Sequence, residues 1–319
     1  MDATDPAQLH PDRRSSLVMA VREALDQVNG VVLGKPETVQ LCFCGLLAGG
    51  HVLMEDLPGV GKTTLAHALA QTLGIHFGRV QFTSDLLPAD VLGVSVYSQQ
   101  QDGFRFQPGP VFNQMLLTDE INRAPPRTQS ALLEAMAEGH VTIDGERHEL
   151  PRPFFVIATQ NPVDMAGTWP LPDSQLDRFL LRLSLGYPDR AAERRLLEES
   201  DRQVLLGELQ PVLDARSIND LMGQCNSLHV SAALLEYVQD LVIASREHPR
   251  IRVGLSPRAA LALLRCARAH ALLAGREYCL PEDVKAVFEA LAGHRLQSTE
   301  TDLDGRQLAR DLLQQVNVP

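Results

Sequence analysis

Val52-Leu53-Met54-Glu55-Asp56-Leu57-Pro58-Gly59-Val60-Gly61-Lys62-Thr63-Thr64 joins a short apolar strand to a glycine-rich turn and then to a helix starting near Thr63. Such a turn points backbone N–H groups outward at the positive end of a helix, where phosphate oxygens are favoured. Pro58, Gly59, Val60 and Gly61 would form the cradle. Lys62 would reach the β- and γ-phosphates, Thr63 would ligate Mg2+, and Thr64 completes the binding stretch. One position departs from the full phosphate-loop pattern: glycine is expected five residues before Gly61, and Asp56 stands there. The alternative is an ordinary glycine-rich turn.

Outward from this stretch, short apolar runs alternate with helical patterns from about residue 50 to 185, the sign of a parallel sheet covered on both faces. The runs are Val52–Glu55, Arg79–Phe82, Met115–Thr118, Phe154–Ala158 and Leu180–Leu185, with helices near Thr63–Leu73 and Arg127–Glu138. Two hairpins interrupt them. Val94–Tyr97 and Phe104–Gln107 alternate apolar and polar around Asp102-Gly103, and Val141–Ile143 and Glu146–Leu150 flank Asp144-Gly145. Asp-Gly is a strong two-residue turn signal. Upstream, residues 15–30 read as an amphipathic helix. After Tyr187-Pro188 the strands stop and helices follow at about 189–200, 217–225, 231–247, 257–274 and 281–292, with Ser231 and Ser256 as N-caps. The expected division is a flexible N-terminus at 1–14, an α/β nucleotide-binding domain at 15–187 and a helical domain at 188–319.

Two further strands end in polar side chains. Met115-Leu116-Leu117-Thr118-Asp119-Glu120 delivers two carboxylates: Asp119 would hold the Mg2+ shell and Glu120 would polarise an attacking water. The alternative is a solvated acidic loop. Phe154-Phe155-Val156-Ile157-Ala158-Thr159-Gln160-Asn161-Pro162 ends on Asn161, which could orient that water or simply start an Asn-Pro turn. Arg258 lies in the first turn of a helix, where the macrodipole disfavours a cation by several tenths of a kcal/mol. That position suggests an anion to bind; a solvated surface arginine is the alternative.

Composition sets limits. The chain has 319 residues, 29 basic and 40 acidic, for a net charge of −11. Such a balance argues against non-specific nucleic-acid binding. No apolar run approaches the roughly 18 residues of a membrane helix. The polar N-terminus lacks a signal-peptide core. Five cysteines without framework spacing read as reduced thiols, which predicts a cytoplasmic protein. Cys42 and Cys44 read as small buried apolar residues in the helix before the first strand, with a fragment of a metal site as the alternative.

Taken in order, Glu55-Asp56-Leu57-Pro58-Gly59-Val60-Gly61-Lys62-Thr63, Asp119-Glu120-Ile121-Asn122-Arg123-Ala124, Ala158-Thr159-Gln160-Asn161-Pro162, Gly167-Thr168-Trp169-Pro170-Leu171-Pro172 and Leu176-Asp177-Arg178-Phe179 resemble the MoxR family of AAA+ ATPases, related to the magnesium-chelatase ATPase subunit. The resemblance runs from about Leu17 to the C-terminus. Asp56 is usual in the family, whereas Trp169 stands where tyrosine is commoner. The resemblance implies an α/β fold of the AAA+ P-loop NTPase type: a parallel five-stranded sheet in the order 5-1-4-3-2, followed by a C-terminal all-helical lid. That order sets Asn161 between Lys62 and Asp119. It also implies ATP and Mg2+ as cofactors, with ATP between the two domains. Val31, Val32 and Gly34 would cradle the adenine, and Asn161 corresponds to sensor 1.

By the same resemblance Arg178 matches the arginine finger, which reaches the γ-phosphate of an adjacent subunit, and Arg258 matches sensor 2 on the lid. For Arg178 the alternative is an intrachain salt bridge with Asp173 or Asp177. The two hairpins match inserts that face the ring's pore in relatives, or else they only decorate the sheet. A site completed in trans implies a ring of identical subunits, most simply a hexamer. The family's work resembles chaperone-like remodelling or activation of a protein client, often one with a von Willebrand factor A domain. Two other readings remain at this stage. An ATP-gated scaffold with little turnover would need neither Glu120 nor Arg178. A DNA-associated motor is disfavoured by charge and by the acidic hairpin tips, so a nucleic-acid partner is not expected.

Overall fold

The computed structural model describes residues 11–99, 102–162, 167–198 and 202–318. In chain order the elements are α1 (Pro11–Val31), α2 (Pro36–Leu47), β1 (Val52–Glu55), α3 (Lys62–Thr72), β2 (Phe77–Gln81), α4 (Pro88–Leu92), β3 (Gly93–Ser98), β4 (Gly103–Pro108), β5 (Met115–Asp119), α5 (Pro126–Glu138), β6 (His140–Ile143), β7 (Glu146–Glu149), β8 (Phe155–Gln160), α6 (Asp173–Leu176) and β9 (Leu181–Leu183). Then come α7 (Arg190–Glu198), α8 (Arg202–Glu208), α9 (Ala215–Ser227), α10 (Ala232–Glu247), β10 (Ile251–Val253), α11 (Pro257–Leu273), α12 (Pro281–Ala292), β11 (Gln297–Ser298) and α13 (Gly305–Gln315).

The central sheet is parallel and runs β9-β1-β8-β5-β2. Counted within the sheet alone, that is the order 5-1-4-3-2 that the resemblance implies. The strands are apolar on both faces because both faces are covered. Val52, Met54, Met115, Leu117, Phe155 and Ile157 point into one core, against Leu65 and Leu69 of α3 and the face of α2. Leu53, Leu116, Val156 and Ala158 point into the other, against Leu132, Leu133 and Met136 of α5. This two-residue alternation pins the register, since a slip of one residue would swap the two cores.

The first core does not stop at the end of the α/β part. It continues through Leu263, Cys266 and Ala267 of α11 and Val287, Phe288 and Leu291 of α12. All five cysteines are free and buried in it or at its edge. Burial pushes the Cys42 and Cys266 thiols up to about 12, consistent with packing groups that carry no thiolate chemistry. Ser231 and Ser256 accept from the N–H groups of Leu234 and Ala259, both at 3.2 Å, and so cap α10 and α11. The first helix begins at Pro11, four residues earlier than its amphipathic pattern suggests; the rest of the expected flexible N-terminus, residues 1–10, lies outside the described residues. The helices α8 and α13 and the small β10–β11 pair were not expected.

Both hairpins form, β3 against β4 and β6 against β7. Asp144 and Gly145 have φ of 52° and 83°, as a two-residue hairpin turn requires. On the first hairpin Tyr97 and Phe104 pack edge to face, yet Phe104 remains 78% exposed. The two hairpins touch: Phe106 of β4 stacks on His148 of β7, with ring centres 4.0 Å apart and planes 18° from parallel.

Candidate active site

In a parallel sheet all strands deliver their C-terminal ends to one edge, and the crevice outside that edge is where ligands bind. Here the ends of β1, β5 and β8 open onto a cavity of about 330 Å³ lined by Pro58, Gly59, Gly61, Lys62, Thr63, Thr64, Arg79, Gln81, Asp119, Glu120, Thr159 and Asn161. The cavity gathers the phosphate-loop residues, both carboxylates and Asn161 in one place. Gly59 and Gly61 have φ of 83° and 99°, and no atom lies within 4 Å of where a Cβ would stand on either. The loop therefore offers bare backbone to the cavity at the N-terminus of the 11-residue helix α3, a fit for phosphate oxygens. Thr63 and Asp119 bring hard oxygen donors to the same cavity, the ligand type that Mg2+ prefers.

The acidic pair is held by a network that the sequence did not reveal. Arg79 Nε donates to Asp119 Oδ2 at 2.7 Å, and Thr159 Oγ1 donates to Asp119 Oδ1 at 3.3 Å. Glu120 Oε2 accepts from Gln81 Nε2 and pairs with Arg123 Nε, each at 2.9 Å. Glu120 has a φ of 55°, a left-handed backbone that turns the chain out of the strand. Such a conformation in a non-glycine residue costs about 1 kcal/mol or more and tends to occur at functional sites. Lys62 Nζ donates to the carbonyls of Asp56 and Leu57, at 2.8 and 3.0 Å. Burial lowers the Lys62 ammonium from its ordinary value, while Asp56, Asp119 and Glu120 pull the other way.

A second cavity of about 320 Å³ adjoins the first and shares Pro58, Gly59, Gly61 and Thr64 with it. Its remaining wall is largely apolar: Val31, Val32, Leu33, Val60, Tyr187, Pro188 and Leu196, with Lys35 and Gly186. A flat heterocycle fits such a wall. Val31 and Val32 line it as expected. Gly34 does not; its Cβ would meet Ala192 Cβ at 2.8 Å, so Gly34 lets the chain pack against α7.

The two remaining candidates sit elsewhere. Arg178 and Arg258 line a third cavity of about 170 Å³ together with Gly49, Gly50, His51, Met136, Ala137, Asp177, Leu180, Ala262, Arg265 and Arg295. Gly49, Gly50 and His51 precede β1 and Leu180 precedes β9, so this cavity lies at the N-terminal edge of the sheet. The strand β1 alone, four residues at about 3.3 Å each, separates it from the phosphate loop by more than 10 Å. Arg178 Nη1 donates to Leu133 O at 2.9 Å. The salt bridge considered for it does not form: Asp177 pairs with Arg295 at 2.7 Å, and Asp173 accepts from Gln297. Arg258 and Arg265 have no carboxylate partner among the described residues. In a chain of net charge −11, this is a concave surface with an excess of positive charge.

The chain is similar to known proteins over most of its length. Residues 51–181 match the model of the ATPase family associated with various cellular activities (AAA), and residues 243–316 match the AAA lid domain. The chain is 42% identical to the uncharacterized protein YeaC of Bacillus subtilis, over 93% of this chain and 94% of that protein. It is 38% identical to Chaperone MoxR1 of Mycobacterium tuberculosis, over 88% and 77%, and 36% identical to Protein MoxR of Paracoccus denitrificans, over 86% and 88%. A crystal structure of a proposed ATPase from Cytophaga hutchinsonii superposes with a TM-score of 0.86 at 35% identity, covering 97% of each chain.

Proposed function

Because the chain belongs to the MoxR-type AAA+ ATPases and is an ATP hydrolase, we propose that it works as a ring, hexameric by family resemblance, that spends ATP to remodel or activate a protein client. The observation that carries the ring reading is the separation of the two charged cavities. Everything that holds phosphate and polarises water lies at one edge of the sheet, and the finger candidate Arg178 lies at the other. Within one chain they do not meet, but stacking identical subunits side by side lets one edge face the next.

In this reading the loop amides and Lys62 bind the triphosphate, and the apolar wall around Val31, Val32 and Tyr187 takes the adenine. Glu120, oriented by Gln81 and Arg123, polarises the attacking water, and Asn161 aligns it. Bound Mg2+ would neutralise charge between the β- and γ-phosphates, with Thr63 and Asp119 as its protein ligands. Arg178 of the neighbouring subunit stabilises the charge that develops in transfer, and Arg258 of that neighbour, in the same cavity, reaches the same phosphates. The sensor 2 role would thus be exercised between subunits and not within one.

The client is a protein, with a von Willebrand factor A domain by family resemblance. Exposed Tyr97 and Phe104 on the first hairpin supply an aromatic surface for it. No helix among the described residues is long and apolar enough to cross a membrane. Two measurements test the reading. ATPase activity per subunit should rise with protein concentration, and flat specific activity down to verified monomers refutes the ring. Affinity capture with Glu120→Gln in ATP should retain a specific protein that is released on nucleotide removal; no nucleotide-dependent partner refutes the remodelling role.

A further inference from the structure

Asp56, which takes the place of the first glycine of the phosphate-loop pattern, is 5% exposed and fully engaged. Its Oδ1 accepts from Ser184 Oγ at 2.7 Å and from the Gly186 N–H at 2.8 Å, and its Oδ2 accepts from the Leu185 N–H at 2.7 Å. Its own carbonyl accepts from Lys62 Nζ at 2.8 Å. Residues 184–186 follow β9 and lead into Gly186, Tyr187 and Pro188, one wall of the apolar cavity. Lys35 Nζ anchors the same segment from its other side, donating to Tyr187 O at 2.7 Å.

A glycine at position 56 would serve a phosphate loop equally well, so the carboxylate needs a separate reason. Three donors converge on it, two of them backbone amides that cannot turn away. Charge-assisted bonds of this kind are short and directional, and removing the acceptor would strand buried donors. We propose that Asp56 is a positioning residue that fixes the base-binding segment at Gly186–Pro188 to the phosphate loop, and thereby makes the site selective for a nucleoside triphosphate over a bare polyphosphate. This rests on the reading of Pro58–Thr64 as the phosphate cradle. The span between the two half-pockets is then set by one side chain. The phosphate end needs only the loop amides and Lys62, whereas the base end needs the wall to stand at the right distance.

The test compares Mg2+-ATP with Mg2+-tripolyphosphate by calorimetry, using the full chain and its Asp56→Gly, Asp56→Asn and Ser184→Ala variants. The unchanged protein should prefer ATP. Asp56→Gly should lose on the order of ten-fold or more in ATP affinity with little change for tripolyphosphate. Its KM for ATP should rise while kcat at saturation stays within about two-fold. Hydrogen exchange should quicken at the amides of Leu185 and Gly186 and stay slow in β5 and β8. Asp56→Asn, whose amide nitrogen cannot accept, should fall between. If Asp56→Gly does not fold, Ser184→Ala removes one donor and should still cut the ATP preference a few-fold. Unchanged preference in the variants overturns the proposal alone, as does an equal loss of both ligands in a folded protein. Failure of the unchanged protein to bind either ligand overturns the nucleotide-site reading, and the proposal with it.

Discussion

Mixing two inactive variants gives the sharpest prediction, because the phosphate loop and Arg178 lie at opposite edges of one sheet. Arg178→Ala keeps a complete binding cavity but offers its neighbour no finger. Lys62→Ala offers the finger but holds nucleotide poorly. At a fraction p of one variant, an interface that joins an intact cavity to an intact finger forms with probability p(1 − p), so at most about a quarter of interfaces are competent, at equal proportions. An arginine finger is worth roughly 10³-fold in rate, so Arg178→Ala alone should run near 0.1% of full activity, and Lys62→Ala should be limited instead by its poor hold on nucleotide. Equal mixing should therefore lift activity by about two orders of magnitude, along a parabola centred on one half. Arg258→Ala should behave as Arg178→Ala does: it should be rescued by Lys62→Ala and not by Arg178→Ala. Phosphate release across mixing ratios gives the measurement, with native mass spectrometry to verify mixed rings. Mixed rings that stay at background refute action between subunits, provided that unchanged subunits doped into each variant remain active. If the doped rings are dead as well, hydrolysis requires every site at once.

Three further outcomes follow from the site and its surroundings. Glu120→Gln should bind ATP normally and fail to turn it over, whereas Lys62→Ala should lose most of its ATP affinity; fluorescent-nucleotide titration with phosphate release separates the two, and near-normal turnover by Glu120→Gln refutes its assignment. His51 is buried, donates through Nε2 to Met136 O and accepts the Val156 N–H at Nδ1, each at 3.1 Å, so its ring is neutral; burial lowers its pKa from 6.5 to about 4. The unfolded chain then binds the proton more tightly, so stability present above pH 6.5 is lost as pH falls toward 4, by about 3 kcal/mol; denaturant melts from pH 7.5 to 4.5 should show this slope, flattened in His51→Gln. Ser256→Ala removes the cap of α11 and should cost about 1 kcal/mol in the same melts, with the loss confined to stability if Arg258 keeps its place.

The strands and the acidic pair were legible because buried parallel strands are continuous apolar runs, and a polar residue that ends such a run stands out. Asp119, Glu120 and Asn161 stand out for that reason, whereas Lys62 stands out because it follows a glycine-rich turn at the start of a helix. The partners Arg79 and Gln81 were missed, though a signal existed. They are two residues apart on β2, hence on one face, and β2 pairs with β5 so that Gln81 lies beside Asp119. Given the strand order, their reach toward the carboxylates follows from the two-residue period. For Arg123 the sequence offers less, because its reach back to Glu120 depends on the left-handed turn at that glutamate. The helix α13 was overlooked although Leu308 and Leu312 stand one turn apart after the cap Asp304; only a narrow stripe of it is apolar. Arg258 shows a different limit. Its place in a helix's first turn pointed to an anion, but nothing local could say whose. That depends on α11 packing over α2 near the N-terminal edge of β1, a long-range contact.

The stacked rings of Phe106 and His148 tie together two roots as well as two hairpins. The first hairpin feeds into β5, which ends at Asp119 just before Glu120; the second feeds into β8, which ends at Gln160 just before Asn161. The strands β5 and β8 are neighbours in the sheet. Tension applied to either hairpin is thus divided between two adjacent rails before it reaches the chemistry. Clamped at the far end and hydrogen-bonded along their length, β5 and β8 resist sliding past one another, and each is held in register by its outer neighbour, β2 or β1. A load on either hairpin would therefore be borne by the hydrogen-bonded strands of the sheet together, with little change in the spacing between Glu120 and Asn161.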